Sequence, residues 1–242
     1  MKLKKNYLLE KVIDIFKNLP KGRILDLGCG NGYYSKELKD LGFEVVSVDG
    51  DIKRFKYRDE IKFLSFNFEE PFPIKDDSFD YVLFLEVIEH MRTPFFCIKE
   101  ISRILKPGGK LLISTPNILN ISSRLRFLFE GAYDFFREPT LEVIKLNVNN
   151  KQNMHIIPWR YQDLEYLLFE NNLQATHVFA DKFKSILRVP FFFLSPVMML
   201  QHYLKQKASL KKNGPDYSRT YKILMSPELL FGRHLIVLAE KK

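Results

Sequence analysis

The chain has 242 residues, 46% of them hydrophobic and 28% charged, with a formal net charge of +9. That length fits one generous domain, or one domain with a cap, and the hydrophobic fraction can bury a sizeable core. Two cysteines in unrelated contexts, Cys29 and Cys97, exclude a disulfide framework and a zinc-ligand spacing and fit a reducing compartment.

The opening stretch MKLKKNYLLEKVIDIF is basic and then amphipathic. It has neither the continuous apolar core nor the small-residue cleavage site of a signal peptide, so a cytoplasmic location is expected. Leu8, Val12, Ile15 and Leu19 repeat at a helical period, and Pro20-Lys21-Gly22 ends that helix. Arg23 to Leu27 reads as a strand, followed by a glycine turn and a helix from Tyr33 to Leu41 closed by Gly42. Glu44 to Val48 and Ile61 to Phe66 read as the second and third strands, and the apolar run Asp80 to Leu85 as the fourth. Pro94 to Leu105 reads as a helix with proline in its first turn. Lys106-Pro107-Gly108-Gly109 reads as a stop and turn before a fifth strand, Lys110 to Ser114. This alternation predicts an α/β fold, a parallel sheet with helices on both faces.

After Pro116 the rhythm breaks. Residues 117–160, with a helix over Ser122 to Phe129, read as an insertion above the sheet, where ligands bind. Regularity returns with a helix at Tyr161 to Asn171, a strand at Ala175 to Phe179 and a final strand at His234 to Ala239. Between them, residues 183–212 form an apolar, aromatic and basic helical insertion with Pro190 and Pro196 inside it. Residues 182–242 hold 12 Lys and Arg against 3 Asp and Glu, so the whole positive excess lies in the last quarter of the chain. Such a segment suits an anionic partner or forms a solvated basic tail.

The densest chemistry is ILDLGCGNGYYS, Ile24 to Ser35. A buried strand ends at Asp26, and glycines follow at alternate positions, Gly28, Gly30 and Gly32. This is a strand, a tight loop and a helix N-terminus opening on a ligand crevice. The Gly-x-Gly-x-Gly spacing differs from the Gly-x-Gly-x-x-Gly of dinucleotide sites and points away from a pyrophosphate ligand. Asp49 ends the second strand, where a carboxylate can accept from both hydroxyls of a ribose. Asn67 can read a purine edge, Phe68 can pack on the base, and Glu86 follows the fourth strand into the same crevice. Together they describe a nucleoside site.

With these residues in order, the chain resembles the class I S-adenosylmethionine-dependent methyltransferases. ILDLGCGNG resembles the family's first motif, and VVSVDGD carries its acidic residue. FNFEEPFPIKDDSFDYVLFLEVIEHM and ISRILKPGGKLLISTPN resemble the stretches through the third to fifth strands. The resemblance covers roughly residues 22–117 and implies a Rossmann-like, seven-stranded, mostly parallel sheet in a single domain spanning 1–242, with a helical cap. It implies that Asp26, Gly28 and Gly30, with Cys29 and Gly32 in the same loop, hold the methionine part of S-adenosylmethionine. By the same resemblance Asp49 holds the ribose, and Asn67 with Phe68 the adenine. The family often has Asp where this chain has Asn67, which can still accept from the adenine amino group.

The reaction implied is in-line methyl transfer from the sulfonium, accelerated by positioning. A hydroxyl acceptor also needs help losing its proton. Glu86, Glu89 and His90 fall at i, i+3 and i+4 and share a face if the segment turns helically. With His155 they resemble the metal pattern of small-RNA 2′-O-methyltransferases and quinone-biosynthesis O-methyltransferases, implying Mg²⁺ or Mn²⁺. Equally open are His155 or His90 as plain general base, Glu86 lining the cofactor cleft, a solvated Glu89 and a loop-capping His90.

For the acceptor, STPNILNISSRLRFLF and SPELLFGRHLIVLA resemble bacterial methyltransferases of surface-glycan and lipid-linked saccharide synthesis. The leading expectation is therefore O-methylation of a sugar or lipid-linked acceptor, peripheral on the inner face of the membrane. The apolar segment beside Lys205, Lys207, Lys211 and Lys212 suits an interfacial helix on an anionic bilayer, or else a buried hairpin or dimer contact. The alternatives are an RNA 2′-O-methyltransferase, a quinone-type O-methyltransferase and a cofactor-binding membrane adaptor without catalysis. Nucleic acid is the weaker partner expectation, because the basic segment lacks an evident RNA-binding module.

Overall fold

The computed structural model describes residues 6–136, 155–183 and 188–242. The start of the basic opening stretch, the polar part of the insertion at 137–154 and residues 184–187 of the apolar segment lie outside the described residues. Seven strands form one sheet: β1 (Arg23–Leu27), β2 (Glu44–Val48), β3 (Lys62–Leu64), β4 (Phe79–Leu85), β5 (Leu105–Pro116), β6 (Leu173–Phe179) and β7 (His234–Lys241). Their order across the sheet is β3-β2-β1-β4-β5-β7-β6. The pairs from β3 through to β5 are parallel. β7 runs antiparallel between β5 and β6.

Strand periodicity divides the core in two. Leu25, Leu27, Val46, Val48, Val82 and Phe84 face one side, where they meet Ile98 and Ile101 of α3 (Pro94–Ile104) and Leu164 and Leu168 of α5 (Tyr161–Phe169). Ile24, Val45, Tyr81, Leu83 and Leu85 face the other, against Leu8, Val12 and Phe16 of α1 (Tyr7–Phe16) and Leu38 of α2 (Tyr33–Asp40). Helices therefore cover both faces, as the alternation predicts. Each such fully buried side chain contributes about 1.5–3 kcal/mol from burial.

Two expectations change. Lys106 to Gly109 is not a turn outside the sheet. It is a bulge within β5, where Phe79 pairs Leu105 and Tyr81 pairs Lys110, and Gly108 takes φ 75°. The apolar segment is neither a hairpin nor interrupted at its prolines. It forms one 24-residue helix, α6 (Arg188–Lys211), that continues through Pro196. Among the described residues no helix is long and apolar enough to cross a membrane.

Past the carboxyl end of β5 the chain enters α4 (Ile121–Glu130), whose N-cap Asn120 accepts from the Ser123 amide at 3.0 Å. Two short helices, α7 (Ser218–Leu224) and α8 (Pro227–Phe231), precede β7. The buried Asn117 amide donates to the carbonyls of Glu228, Leu229 and Gly232 at 3.2, 3.0 and 3.0 Å. That side chain fastens α8 across the carboxyl end of the sheet, at the same end as the glycine loop.

Candidate active site

The loop after β1 is held by its neighbours rather than by its own side chains. The Gly28 and Cys29 amides donate to the Val48 carbonyl at 2.8 and 3.0 Å. The Gly30 amide donates to Asp49 Oδ2 at 2.8 Å, and Oδ1 of the same carboxylate accepts from the Asp51 amide at 3.0 Å. Asp49 thus shapes the glycine loop from the end of β2. Asp26 is buried and accepts from the Ser35 hydroxyl at 2.5 Å, while the Ser47 hydroxyl donates to Ser35 Oγ at 2.8 Å. This joins β1, β2 and the first turn of α2. Burial pushes the Asp26 carboxyl up to about 6, partly offset by Ser35. Cys29 is buried, and burial pushes its thiol well up, so its part in the loop is played by its backbone.

A Cβ on Gly28 would lie 2.4 Å from Val87 Cγ2, and the residue has φ 85°. A Cβ on Gly30 would meet nothing within 4 Å, so that position faces open space. Gly28→Ala is accordingly expected to destabilise the fold by roughly 2–3 kcal/mol, since it adds both left-handed strain and a clash with a branched side chain. Thermal unfolding of the unliganded protein checks this, and an unchanged midpoint would show that the loop is not the rigid cradle described.

Asn67 and Phe68 follow β3. The Asn67 amide is used by its own turn, accepting from the Glu69 amide at 3.1 Å and donating to Glu70 Oε1 at 2.9 Å. Phe68 is half-buried and packs edge-on against Phe66 at 5.9 Å.

Glu86 terminates β4 with φ 56°. This left-handed backbone breaks any helical repeat between Glu86 and Glu89, so the shared face inferred from their spacing does not form. Glu86 Oε1 instead accepts from the Ser114 hydroxyl at 2.7 Å. Its Oε2 lies 3.4 Å from His234 Nε2, and His234 Nδ1 lies 2.8 Å from Asp181 Oδ2. The His234 amide donates to the other Asp181 oxygen at 3.0 Å. Burial raises the Glu86 carboxyl, with His234 pulling it part of the way back. On His234 burial opposes the charged ring, but the hydrogen bond to Asp181 and the Glu86 charge outweigh it and raise the pKa.

Ser114, Asp181 and His234 were not among the residues singled out from sequence. The signal that finds them is register. Phe179 pairs with Ile236 across an antiparallel ladder, so two residues further along Asp181 meets His234, which itself pairs with Pro116.

A second cluster lies on the short turn Ile88–His90. Glu89 is fully buried, and neither of its carboxylate oxygens has a hydrogen-bond partner among the described residues. Burial, then the Glu86 charge, push its pKa up to about 8. The Glu89 carbonyl accepts from the Ile156 and Ile157 amides at 2.7 and 3.1 Å. That docking brings His155 against His90, with ring centroids 4.8 Å apart. One donor atom each from Glu89, His90 and His155 fall within 4.8 Å of one another. His155 Nδ1 sits 2.9 Å from the Phe135 carbonyl, and burial with the His90 charge lowers its pKa. A buried carboxylate without donors beside two imidazoles fits a divalent cation, which would relieve the cost of burying that charge. Glu86, expected as a fourth ligand, is instead engaged by Ser114 and His234. Trp159 and Tyr161 pack beneath as core residues.

The model of a methyltransferase domain family matches residues 3–178. The chain is 31% identical over 132 residues to the ubiquinone biosynthesis O-methyltransferase of Nitrosococcus oceani, covering 48% of this chain and 56% of that protein. To the protein of the same name from Pelagibacter ubique it is 26% identical over 194 residues, 71% of this chain and 79% of the relative. Among solved structures, an S-adenosylmethionine-dependent methyltransferase of Thermotoga maritima superposes with a TM-score of 0.59 at 17% identity, covering 98% of this chain and 90% of that one.

Proposed function

Because this chain belongs to the methyltransferase domain family, as a class I S-adenosylmethionine-dependent enzyme, we propose that it methylates a hydroxyl oxygen of an acceptor held at the carboxyl end of the sheet. The observation that carries this reading is the convergence of His90 and His155 on the buried Glu89 carboxylate, whose oxygens have no hydrogen-bond partner among the described residues and whose Oε1 lies 3.9 Å from His90 Nε2. A hydroxyl nucleophile must lose its proton to react, and a base or a bound cation beside it would make that possible.

The glycine loop fits S-adenosylmethionine, since Gly30 leaves its crevice side open and Asp49 stands beside it. Bound there, the cofactor supplies a methyl group already activated by its sulfonium. Asp49 would orient the ribose and Phe68 would pack on the adenine, which Asn67 would reach once its side chain leaves the turn it closes. A divalent ion on Glu89, His90 and His155, Mg²⁺ or Mn²⁺, would supply positive charge that acidifies a nearby hydroxyl. Glu86 offers Oε2 as proton acceptor, with His234 Nε2 next in line and Asp181 holding the imidazole in place. These groups make His155, His90 and Glu86 the candidates for the catalytic side of the site.

The names of the relatives favour a ring hydroxyl of a quinone precursor over the saccharide acceptor expected from sequence. A lipid-linked saccharide is the second reading, supported by the basic last quarter of the chain. Methyl-label transfer to catechol-type phenols, lipid-linked saccharides and RNA tests the choice. We expect label on a phenolic oxygen, loss of rate with chelator and recovery with Mn²⁺ or Mg²⁺. Equal rates with and without chelator would remove the metal reading. Label on nitrogen would overturn O-methylation.

A further inference from the structure

The exposed face of α6 is the part of the molecule that methyl transfer does not use. Val189, Phe193, Val197, Leu200 and Leu204 recur at steps of three and four residues, so they share one side of the helix. They are 63, 71, 66, 57 and 55% exposed. The opposite side is occupied, since Phe191, Leu194 and Met198 pack towards Ile121 and Leu230. α6 is therefore seated on the protein by one apolar face and presents a second apolar face outward. Single exposed hydrophobic residues are ordinary, but a contiguous stripe of this length marks an interaction surface. The tip of α4 extends it, with Leu128 72% and Phe129 80% exposed. Between α4 and α6 runs a groove of about 480 Å³ lined by Leu125, Leu128, Leu194 and Val197.

We infer that this face seats the enzyme on an anionic lipid bilayer. Three observations select that occupant. First, the outward stripe continues at the same spacing into Lys207 and Lys211, both exposed, with Lys205 and Lys212 beside them. No Asp or Glu occurs anywhere from Arg188 to Lys211. A second copy of this face brings no carboxylate to these lysines, whereas anionic headgroups neutralise them. Second, Pro196 has no amide hydrogen to give the Phe192 carbonyl one turn earlier. The Ser195 hydroxyl donates to that carbonyl at 3.3 Å, so it carries a partner into an apolar medium. Third, α6 is seated on the protein by its Phe191, Leu194 and Met198 side, so its apolar stripe faces outward along its length, the posture of an interfacial helix.

The geometry assigns an orientation as well. The apolar turns of α6 enter the acyl layer, and the lysine turns stay among the headgroups. Phe191 packs edge-on against Phe231 at 5.4 Å, and Phe231 lies three residues before His234. The bilayer face is thus joined through α8 to the carboxyl end of the sheet, where the crevice opens.

Flotation with vesicles of about 30% phosphatidylglycerol in phosphatidylcholine tests this directly, since headgroup attraction adds about 1 kcal/mol per lysine. The intact protein should float with these vesicles and not with pure phosphatidylcholine. K207Q/K211Q should lower partitioning roughly 30-fold, and F193D/L200D should abolish it. Both variants should keep cofactor affinity, because their changes lie on an exposed face outside the site. Equal binding to neutral vesicles, or flotation unaffected by F193D/L200D, would overturn the proposal. So would a dimer in light scattering that F193D/L200D converts to monomer while vesicles fail to bind. None of these outcomes depends on the acceptor or the metal, so failure here is distinct from failure of the O-methylation reading.

Discussion

Replacing Asp49 with alanine should weaken S-adenosylmethionine binding about 100-fold, close to 3 kcal/mol for two charge-assisted hydrogen bonds. The loss has two sources that act in the same direction. One is the proposed pair of acceptors for the ribose hydroxyls. The other is visible in the unliganded protein, where the carboxylate receives the Gly30 amide on one oxygen and the Asp51 amide on the other. Alanine frees both amides and lets the loop after β1 relax, so the crevice loses its shape along with its acceptor. Asp49→Asn separates the two sources. Its single carbonyl can serve one amide but not both, so an intermediate loss is expected. Calorimetric titration of cofactor into the purified variants provides the measurement. Affinity within threefold of the parent for Asp49→Ala would show that neither the ribose contact nor the loop contacts of this carboxylate contribute to binding.

Glu89→Gln should move stability and turnover in opposite directions. The parent carries a fully buried carboxylate whose oxygens have no hydrogen-bond partner among the described residues, and whose pKa burial and the Glu86 charge push up to about 8. An acid whose folded pKa lies above its unfolded value binds its proton more tightly when folded. Its contribution to stability is therefore greatest near and below pH 4.5 and declines as pH rises towards 8. At pH 8 glutamine removes a charge that the apo protein must bury, so its thermal midpoint should equal or exceed that of the parent, and the gap should close as pH falls to 5. Turnover should fall about 100-fold, because the proposed ion that acidifies the acceptor hydroxyl loses its one carboxylate ligand. Any stimulation by Mn²⁺ should vanish with it. Thermal scans in chelator at several pH values and initial rates with and without metal make the test. Unchanged turnover would make Glu89 a structural residue, and His155→Ala with normal kcat would carry the same message for the cluster.

Legibility of this protein divides along the sheet. The donor half reads from local pattern, because glycines at 28, 30 and 32, Asp49, Asn67 and Glu86 all sit just past the ends of consecutive parallel strands. The parallel run of those strands alone puts their carboxyl ends on one side. The acceptor half depends on contacts that local pattern does not encode. Glu86, Glu89 and His90 look like one helical face, but a left-handed residue at Glu86 divides them between two clusters. His234 heads an apolar strand and looks bland, and Asp181 sits in a short link. Only the antiparallel placement of β7 between β5 and β6 sets them side by side. The bulge at Lys106 to Gly109 misleads for a related reason, since Pro and Gly mark both a turn and a strand defect. Pro196 sits inside the helical segment as read from sequence, and a serine one residue earlier satisfies the carbonyl that the proline leaves without a donor.

The placement of β7 also bears on how the molecule is made. A ribosome delivers residues in order at about 5–20 per second, and segments fold as they become available. Strands β1 to β5 can pair as they emerge, but β6 has no neighbour until β7 arrives, because β7 fills the gap between β5 and β6. During that interval β6 waits, and β5 shows an unpaired edge. His234, the first residue of β7, reaches Asp181 and Glu86 only when the gap closes. The nascent chain can therefore shape the glycine loop and Asp49 before His234 meets Glu86, and the step that completes the sheet is also the step that completes the proposed proton path.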